Sequence, residues 1–429
     1  MQKNRREIKN DSAEASALKI LYISTLCSKE TYSRLFGYTA VSPGLAAQKY
    51  HSVMTSGIEE NEGASVVCVT VPPVSRANYP GIFASPENDM QGKTEFIYIK
   101  LLNIPIIKNI SAYFGTKRAC LKLLKRFEKS GEESGIICDL LCASGALSAQ
   151  KKFNKKRRKK IVRSVGIVTD LPEYQGVGGK SKIRELFQRL FDKNIKACSG
   201  YVFLTEHMNR LLNIDHKPYV IIEGQADVNT PAPQPAISSE KNAVRICMYA
   251  GSLSRKYGII NLAEAFISAA DTINSGQYSQ ASGIELHIYG SGECAEELKA
   301  LSAQNGCIKY LGVISNDEII KKEQEAILLI NPRPRGGDYT KYSFPSKNIE
   351  YMASGTALLT TALPGMPDEY KKHVYIIDDE SRNGIQKVLE ELLAKSNAEL
   401  RSKGMAARKF VMEEKNGKIQ AGKVLVLFK

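Results

Sequence analysis

The strongest constraint on the fold is a regular alternation of short apolar runs, rich in β-branched residues, with longer amphipathic stretches. Strands are therefore predicted at 18–24, 64–71, 95–99, 135–142, 160–169, 200–204 and 219–223, and again at 243–250, 285–289, 309–313, 326–330, 357–361 and 374–377. Helical patterns lie between them, such as the one at 113–129. This alternation is typical of βαβ units and a mostly parallel sheet, so the sequence predicts an α/β protein.

The strand pattern stops at 226–242, ADVNTPAPQPAISSEKN, where three prolines and several small polar residues favour an extended connector. A chain of 429 residues also exceeds what one hydrophobic core usually organises. We therefore predict an N-terminal domain at 1–225, a linker at 226–242 and a C-terminal domain at 243–410. The last stretch, 411–429, is predicted to be a helix that crosses back to the N-terminal domain.

Several classes of protein are disfavoured by the composition. The first 16 residues are polar and charged, without the apolar run of a signal peptide, and no stretch approaches the roughly 18 apolar residues of a membrane span. The nine cysteines are scattered, and the close pair Cys138 and Cys142 has no second pair or nearby histidine to complete a zinc set. We expect a cytoplasmic protein with reduced cysteines and no bound metal.

The net charge of +15 is concentrated in the first half of the chain. Residues 1–230 contain 35 Lys and Arg against 22 Asp and Glu, whereas the remaining residues contain 25 against 23. Residues 100–163 alone contain 17 basic and 4 acidic residues. An acidic partner is therefore expected to meet this segment.

Three glycine-bearing loops of the second domain follow predicted strands, where helix starts and loop amides of α/β proteins bind ligands. The first, AGSLSRKYG at 250–258, has Gly251 and Ser252 at the turn and Arg255 and Lys256 ahead of an amphipathic helix. Arginine and lysine at this place suit a diphosphate. A solvated helix start with chance basic residues is the alternative.

The second loop, YGSGE at 289–293, contains Gly290, Ser291 and Gly292. With Ala295 it approximates the dinucleotide fingerprint G-x-G-x-x-A. That fingerprint needs an acidic residue about 20 positions later, at the end of the next strand, and the strand that ends near Val313 offers none. We therefore disfavour an oxidoreductase and expect the loop to approach a base or a ribose.

The third loop, NPRPRGGDYTKYSFPSKNIEYMASG at 331–355, combines two adjacent glycines, at 336 and 337, with four basic residues: Arg333, Arg335, Lys341 and Lys347. A helix is predicted to start between Ser343 and Ser346, with Pro345 near its first position. Free backbone N–H groups at that start would face an anion. Glu350 lies about one turn into the helix, where its carboxylate can accept two hydroxyl groups of a ribose. An ordinary surface loop would not need so many basic and glycine residues together.

With these motifs, MYAGSLSRKYGI, LHIYGSGE, INPRP, YSFPSKNIEYMASG and LPGMPDEY, the chain resembles the retaining glycosyltransferases of family 4. The resemblance is strongest over 245–379. It implies the GT-B fold, two Rossmann-like domains with a cleft between them. The N-terminal domain would bind the acceptor and the C-terminal domain the nucleotide-sugar donor. Members most similar to this chain assemble bacterial capsule, exopolysaccharide or other surface glycans.

The resemblance also implies residue roles. Arg255 and Lys256 would hold the donor diphosphate and Glu350 the ribose, and the loop at 290–293 would lie near the base. Ser343 and Phe344 would present backbone amides to the phosphate, with Lys347 nearby. Transfer would retain the anomeric configuration. Because the sequence has no Asp-x-Asp motif, we expect no metal and no other cofactor.

Two departures from the family pattern affect the predicted site. Many members have a glutamate eight positions before the residue equivalent to Glu350, where this chain has Tyr342. Many also place a histidine after a central strand of the first domain, and the loops after Cys142 and Thr169 contain none. Asp170, in VTDLPEY, is the candidate for an acceptor-side contact; a turn before Pro172 is the alternative. His207, at another predicted strand end, is a further candidate.

A basic run begins at Lys151 and ends at Arg163, with nine basic residues in thirteen. Attraction to anionic lipid head groups would hold the protein at the inner face of the cell membrane, which suits a lipid-linked acceptor. A solvated surface is the bland alternative. A nucleic-acid partner is disfavoured because Phe153 is the only aromatic residue among the basic ones. Rival functions are a nucleotide-sugar epimerase of the same fold and a non-catalytic, membrane-associated nucleotide- or glycan-binding protein.

Overall fold

The computed structural model describes residues 17–38, 43–155, 157, 161–174, 182–233, 244–273 and 283–429. Contacts divide the chain into two compact units. Unit 1 contains the residues up to Gly44, Ile58–Val165 and Phe428. Unit 2 contains Leu45–Gly57, Gly166–Leu427 and Lys429. No helix within the described ranges is long and apolar enough to cross a membrane.

The strands, in chain order, are β1 Leu18–Ser24, β2 Ala64–Thr70, β3 Phe83–Ala84, β4 Asp89–Gln91, β5 Thr94–Tyr98, β6 Leu101–Leu102, β7 Ser134–Asp139, β8 Ser164–Val168, β9 Gly200–Phe203, β10 Tyr219–Ile221, β11 Arg245–Ala250, β12 Ile284–Tyr289, β13 Ile308–Gly312, β14 Leu328–Asn331, β15 Ala357–Thr360 and β16 Tyr375–Ile376. The α-helices are α1 Lys29–Phe36, α2 Leu45–Glu59, α3 Ile107–Lys129, α4 Ser144–Asn154, α5 Lys182–Ala197, α6 Glu206–Leu212, α7 Ile259–Thr272, α8 Ala295–Gln304, α9 Asn316–Glu325, α10 Ser346–Ser354, α11 Asp368–Lys371, α12 Arg382–Leu393, α13 Asn397–Glu414 and α14 Gly417–Val426. Short 3₁₀ helices occur at Pro172–Tyr174, Arg255–Tyr257 and Asp338–Tyr342.

Unit 1 is organised around β1, which pairs in parallel with β2 on one side and β7 on the other. The order continues from β2 to β5, also parallel, and then to the antiparallel edge strand β4. Ile20, Leu21, Tyr22 and Ile23 of β1 are fully buried, the continuous apolar run expected of a strand covered on both faces. α3 buries Thr116, Cys120, Leu123, Leu124 and Phe127.

Unit 2 contains a parallel sheet in the order β13-β12-β11-β14-β15-β16. From β11 the chain continues to β12 and β13 on one side of the sheet, and from β14 it continues to β15 and β16 on the other side. The direction of strand addition therefore reverses between β11 and β14. Open α/β sheets bind ligands at such a reversal, outside the carboxyl ends of the strands. Buried apolar residues of β11, β12, β14 and β15 pack against α7 and α12 to form a core on one face.

The C-terminal residues join unit 2 through a buried ion pair. Lys415 Nζ lies 2.6 Å from Glu223 Oε1, and both residues are almost fully buried. Lys415 also contacts Glu369 of α11, and its carbonyl accepts a hydrogen bond from the Ala226 N–H. α14 then approaches α2 closely, since a Cβ on Gly417 would lie 2.7 Å from the Val53 carbonyl oxygen.

All the predicted strands form, although several are shorter than the apolar runs that predicted them. The short strands β3, β4 and β6 were not predicted, and α3 begins at Ile107, six residues before the predicted helix. Contacts divide the chain within β8, so 166–225 group with the C-terminal residues. The domain boundaries at 225 and 243 remain predictions, and 234–242 of the predicted linker lie outside the described residues.

Candidate nucleotide-sugar site in the C-terminal sheet

The first two glycine loops follow β11 and β12 and are joined by main-chain hydrogen bonds. Gly251 N–H donates to the Tyr289 carbonyl at 3.0 Å, and Leu253 N–H donates to the Ser291 carbonyl at 2.9 Å. A Cβ on Gly290 would lie 1.9 Å from the Gly251 carbonyl oxygen, so only glycine fits there. The sequence predicted the two loops separately, and the structure brings them together.

The third loop, which follows β14, meets the first at Gly258. This glycine has φ 76°, and a Cβ there would lie 2.6 Å from the Pro332 carbonyl oxygen. Close packing of the two backbones therefore positions the loops after β11 and β14 at the reversal of strand order. The predicted diphosphate, base and ribose loops form one contiguous rim.

Arg333 is the most firmly held cation of this rim. Its guanidinium lies 5.0 Å from the Tyr257 ring centroid and 5.1 Å from that of Tyr339, a cation–π arrangement on two rings. One terminal nitrogen donates to Ser343 Oγ at 3.4 Å. Its buried Nε–H has no hydrogen-bond acceptor among the described residues. Arg333 is thus a fixed positive charge with unused donor capacity.

Arg255 and Lys256 are exposed and lie in the 3₁₀ turn before α7. The Arg255 side chain forms an ion pair with Glu297 of α8, and its backbone N–H donates to Glu293 Oε1 at 2.9 Å. That backbone hydrogen bond, followed by one from the Ser254 hydroxyl, lowers the pKa of Glu293. The Arg255 side chain is therefore already paired with a carboxylate in this structure.

The helix predicted near Ser343 begins at Ser346, as α10. Pro345 is its N-cap residue rather than its first helical residue, because the 3₁₀ turn ending at Tyr342 is followed by extended backbone. Within the described chain no side chain caps α10, so its first backbone N–H groups remain available to a ligand. Phe344 is buried and packs 5.0 Å from the Tyr370 ring, while Tyr342 is half-buried.

A buried amide network fixes α10 against the strand ends. Asn331 Nδ2 donates to Asn348 Oδ1 at 2.7 Å, and the Thr360 hydroxyl lies 3.3 Å from the same oxygen. Asn348 is fully buried, and its Nδ2 has no acceptor among the described residues. Sequence reasoning missed this network, although asparagine at the end of a buried strand was a usable signal.

Glu350 is held between two lysines. Its Oε2 lies 2.8 Å from Lys347 Nζ and its Oε1 lies 2.9 Å from Lys49 Nζ. Burial acts to raise the pKa of Glu350, but the charges of Lys347 and Lys49 outweigh it and leave the pKa below its usual value. Lys49 belongs to α2, about 300 positions away in the sequence, so no local pattern predicted it.

Glu323 of α9 lies beside this group and is almost completely buried. Its Oε1 has no hydrogen-bond donor among the described residues. Burial raises the pKa of Glu323 to about 7, and the nearby Lys347 partly offsets that effect. Glu323 was not predicted, although it lies four residues after Ile319 and thus on the same helix face.

Residues proposed for the acceptor side lie elsewhere in unit 2. Thr205, at the start of α6, donates its hydroxyl hydrogen bond to the Lys341 carbonyl at 2.9 Å, so α6 contacts the third loop. His207 is half-buried in the first turn of α6. Asp170 is exposed beyond the carboxyl end of β8. These positions leave the roles of Asp170 and His207 as predictions.

Comparisons with known proteins agree with this architecture. Residues 233–409 match the family model described as glycosyl transferases group 1. No curated protein sequence matches the chain significantly. Sucrose-phosphate synthase from Thermosynechococcus elongatus superposes with a TM-score of 0.61 at 15% identity, over 95% of this chain and 98% of that one.

Two similar structures concern trehalose 6-phosphate. The E. coli protein bound with UDP-2-fluoro glucose has a TM-score of 0.61 at 12% identity, over 96% of this chain and 99% of that one. A trehalose-6-phosphate synthase studied for glycosyltransfer with retention has a TM-score of 0.58 at 12% identity, over 95% of this chain and 98% of that one.

The α/β fold with parallel sheets is therefore the GT-B fold of glycosyltransferases. Residues 233–409 therefore form a domain of the glycosyl transferases group 1 type, and the protein is a glycosyltransferase.

Proposed function

We propose that the protein transfers a sugar from a nucleotide-diphosphate donor to a glycan or lipid-linked acceptor, with retention of the anomeric configuration. One observation carries the proposal: Arg333, the uncapped start of α10 and the Lys347–Glu350 pair all belong to the segment after β14, at the reversal of strand order. A nucleoside diphosphate needs this combination of fixed positive charge, free amides and a carboxylate.

Each group has a role in the proposed reaction. Arg333 and the α10 amides, including those of Ser346 and Lys347, bind the diphosphate. Arg255 and Lys256 add charge as the glycosidic bond breaks and the leaving diphosphate gains negative charge. Gly290, Ser291 and Gly292 approach the base.

Glu350 is the proposed ribose ligand. An ionised carboxylate has about four acceptor positions, so two lysine contacts leave room for hydroxyl donors. The two lysines also keep the carboxylate ionised, which strengthens hydrogen bonds from a ribose. Tyr342, in place of a family glutamate, is proposed to contact the donor sugar.

We propose that transfer needs no metal, because Arg333, Arg255 and Lys256 supply the charge that a divalent ion would otherwise supply. Activity in excess EDTA should equal activity without it. Strict dependence on magnesium or manganese would refute this part of the proposal.

We propose that 1–225 bind the acceptor and 243–410 the donor, that Asp170 contacts the acceptor, and that the product belongs to bacterial capsule or exopolysaccharide synthesis. The basic run that begins at Lys151 would attract anionic lipid at the inner face of the membrane. Its described basic residues are Lys151, Lys152, Lys155, Arg157 and Arg163. Liposome flotation of variants in this run tests that location.

The direct test is a thermal-shift screen against nucleoside diphosphates and their sugars, since a ligand that binds the folded state stabilises it by mass action. At 100 times Kd the expected stabilisation is about 2.7 kcal/mol. Glu350→Ala should lose the shift, whereas Glu391→Ala, at an exposed carboxylate of α12, should keep it. An unchanged shift in Glu350→Ala would refute the ribose assignment.

Turnover separates the rival functions. Slow hydrolysis of the bound donor to free sugar and nucleoside diphosphate is expected of a transferase without its acceptor. Conversion of the donor to its epimer, without release of the diphosphate, would instead identify an isomerase. A donor that binds but stays intact would indicate a binding protein.

A further inference from the structure

The outward face of α3 in unit 1 carries exposed apolar residues that the core does not use. At 100° per residue, its buried residues Thr116, Cys120, Leu123, Leu124 and Phe127 occupy one side. The opposite side carries Ile107, Ile110, Phe114, Arg118, Leu121 and Lys125. The exposed stripe is therefore apolar in the first two turns and basic afterwards.

The apolar part continues onto a small ribbon beside the start of α3. Phe83 of β3 pairs directly with Leu102 of β6, so their side chains share a face, and both are exposed. Leu102 N–H donates to Ser111 Oγ of α3 at 3.3 Å, which ties the ribbon to the helix. We call the exposed residues of ribbon and helix start the apolar tip: Ile82, Phe83, Leu102, Ile106, Ile107, Ile110 and Phe114.

The apolar tip is unusual for a surface. Ile106 is 67% exposed, Phe114 63% and Ile82 63%. Ile106 also has φ 69°, a conformation that a β-branched side chain rarely adopts. Contiguous apolar surface of this kind on a soluble protein marks a contact with a partner or a membrane.

A basic collar follows the tip along the same helix: Lys117, Arg118, Lys122 and Lys125. These residues line one shallow groove together with Phe114 and Leu121. Within the described residues, Lys117, Arg118 and Lys122 form no ion pair. At the far end of α3, Arg157 pairs with Glu128, which brings Arg157 next to this helix.

We propose that this surface binds an anionic lipid bilayer, with the apolar tip among the upper acyl chains and the collar at the head groups. An apolar cluster bordered by lysine and arginine matches the depth profile of a leaflet, which is apolar inside and anionic at its surface. A protein partner would need an apolar surface opposite the tip and acidic residues opposite the collar. The inference deepens the proposed membrane location by adding the apolar tip and the collar of α3, and it does not depend on sugar transfer.

The chain contains no tryptophan, so one introduced residue gives a clean optical probe. Phe114→Trp should shift its emission to shorter wavelength with phosphatidylglycerol vesicles and be quenched by brominated acyl chains. Val313→Trp, at a similarly exposed site of unit 2, is the matched control and should not respond. No response from Phe114→Trp, or an equal response from Val313→Trp, would overturn the insertion of the tip.

Flotation of the full chain tests the two parts of the surface separately. Ile110→Ser with Phe114→Ser should lower recovery on anionic vesicles at least tenfold. Glutamine at all four collar positions should lower it by several hundredfold, since each charge contributes about fivefold near such a surface. Glutamine at four exposed lysines of unit 2 is the charge-matched control: Lys299, Lys321, Lys371 and Lys387.

Three further readouts keep the outcome decisive. Circular dichroism and the donor-induced thermal shift should be unchanged in every variant, because neither tip nor collar belongs to the proposed donor site. Equal recovery of the native chain on phosphatidylcholine and phosphatidylglycerol vesicles would refute the proposal. So would a dimer, seen by light scattering, that dissociates on Ile110→Ser with Phe114→Ser, because a second copy would then cover the tip.

Discussion

The two positively charged regions of the C-terminal sheet are built differently. Arg333, in the loop after β14, is held between the rings of Tyr257 and Tyr339 and has a buried, unused Nε–H. Arg255, in the loop after β11, is exposed and paired with Glu297. One charge is fixed before a ligand arrives, and the other is recruited from a surface ion pair.

This difference assigns different work to the two arginines. A fixed charge costs no reorganisation when negative charge develops on a leaving group, so it acts mainly on the transition state. An exposed side chain must lose rotamer freedom and its existing partner, so its net contribution is smaller. Substitutions at the two sites should therefore differ in size and in kinetic character.

The largest effect is expected at the fixed charge. Arg333→Ala should lower kcat by about 10²- to 10³-fold, or roughly 3–4 kcal/mol, with a folded protein. Arg333→Lys should rescue little, because an ammonium cannot stack flat between two rings. Arg335→Ala, in the same loop but paired with Glu380, is the control. An equal loss of kcat in Arg333→Ala and Arg335→Ala would show that the position of an arginine in this loop, rather than the fixed orientation of its guanidinium, determines the effect.

The buried carboxylate next to Glu350 should make stability depend on pH. The folded pKa of Glu323 is about 7, above its unfolded value, so the folded state retains a proton that the unfolded state releases. Stability is therefore lost as pH rises from about 4.5 to 7. Glu323→Gln should be more stable than the native chain by about 2–3 kcal/mol at pH 8 and equal at pH 4.

Urea unfolding at both pH values measures that difference. Glu325→Gln, at an exposed position of the same helix, should change stability by less than about 0.5 kcal/mol at either pH. If the free energies of unfolding of Glu323→Gln and the native chain differ by the same amount at both pH values, the assignment of a retained proton to Glu323 is contradicted.

A smaller effect is expected at the exposed charge. Arg255→Ala should raise the KM for the donor about tenfold, or roughly 1.4 kcal/mol, with a smaller change in kcat. In high salt the effect of Arg255→Ala should shrink and its difference from that of Arg333→Ala should widen, because exposed charges are screened more than buried ones. Initial rates at 0.05 and 0.5 M salt provide the measurement. If Arg255→Ala lowers kcat as much as Arg333→Ala does, the loops after β11 and β14 do not differ in the way proposed.

The smallest effect is expected when the competing partner of Arg255 is removed. Glu297→Gln abolishes the charge of the ion pair and should tighten donor binding by about two- to fivefold, because an exposed pair contributes about 1 kcal/mol or less. Isothermal titration measures the affinity, and Glu296→Gln in the same first turn of α8 is the control. Weaker binding in Glu297→Gln would mean that Glu297 orients Arg255 rather than competing for it.

Local features of the fold and site were predictable from sequence, and tertiary ones were not. The strands are buried apolar runs, so the hydropathy pattern identified them. Gly251, Gly290 and Gly292 follow strands directly, so the turn-forming residues identified the glycine loops. Lys49 and Glu323 lie near Glu350 because α2 and α9 pack beside α10. The spacing of residues in the sequence does not reveal either relation. The two-residue strands β3 and β6 were too short to produce a periodic signal.

Pro345 illustrates the same limit at one residue. Proline favours both the N-cap region and the first helical position, so composition alone could not separate them. The 3₁₀ turn at Asp338–Tyr342 shifted the start of α10 by one residue. Boundaries of this kind depend on how the preceding loop packs, which for this loop includes the contact between Thr205 and Lys341.

The buried pair of Lys415 and Glu223 has a consequence for synthesis of the chain on the ribosome. Almost 200 residues separate the two partners. Until Lys415 emerges from the exit tunnel, folding around Glu223 would bury an unpaired carboxylate, at a cost of about 3–5 kcal/mol. The part of the chain near Glu223 therefore completes its folding only after Lys415 has been synthesised and has left the tunnel.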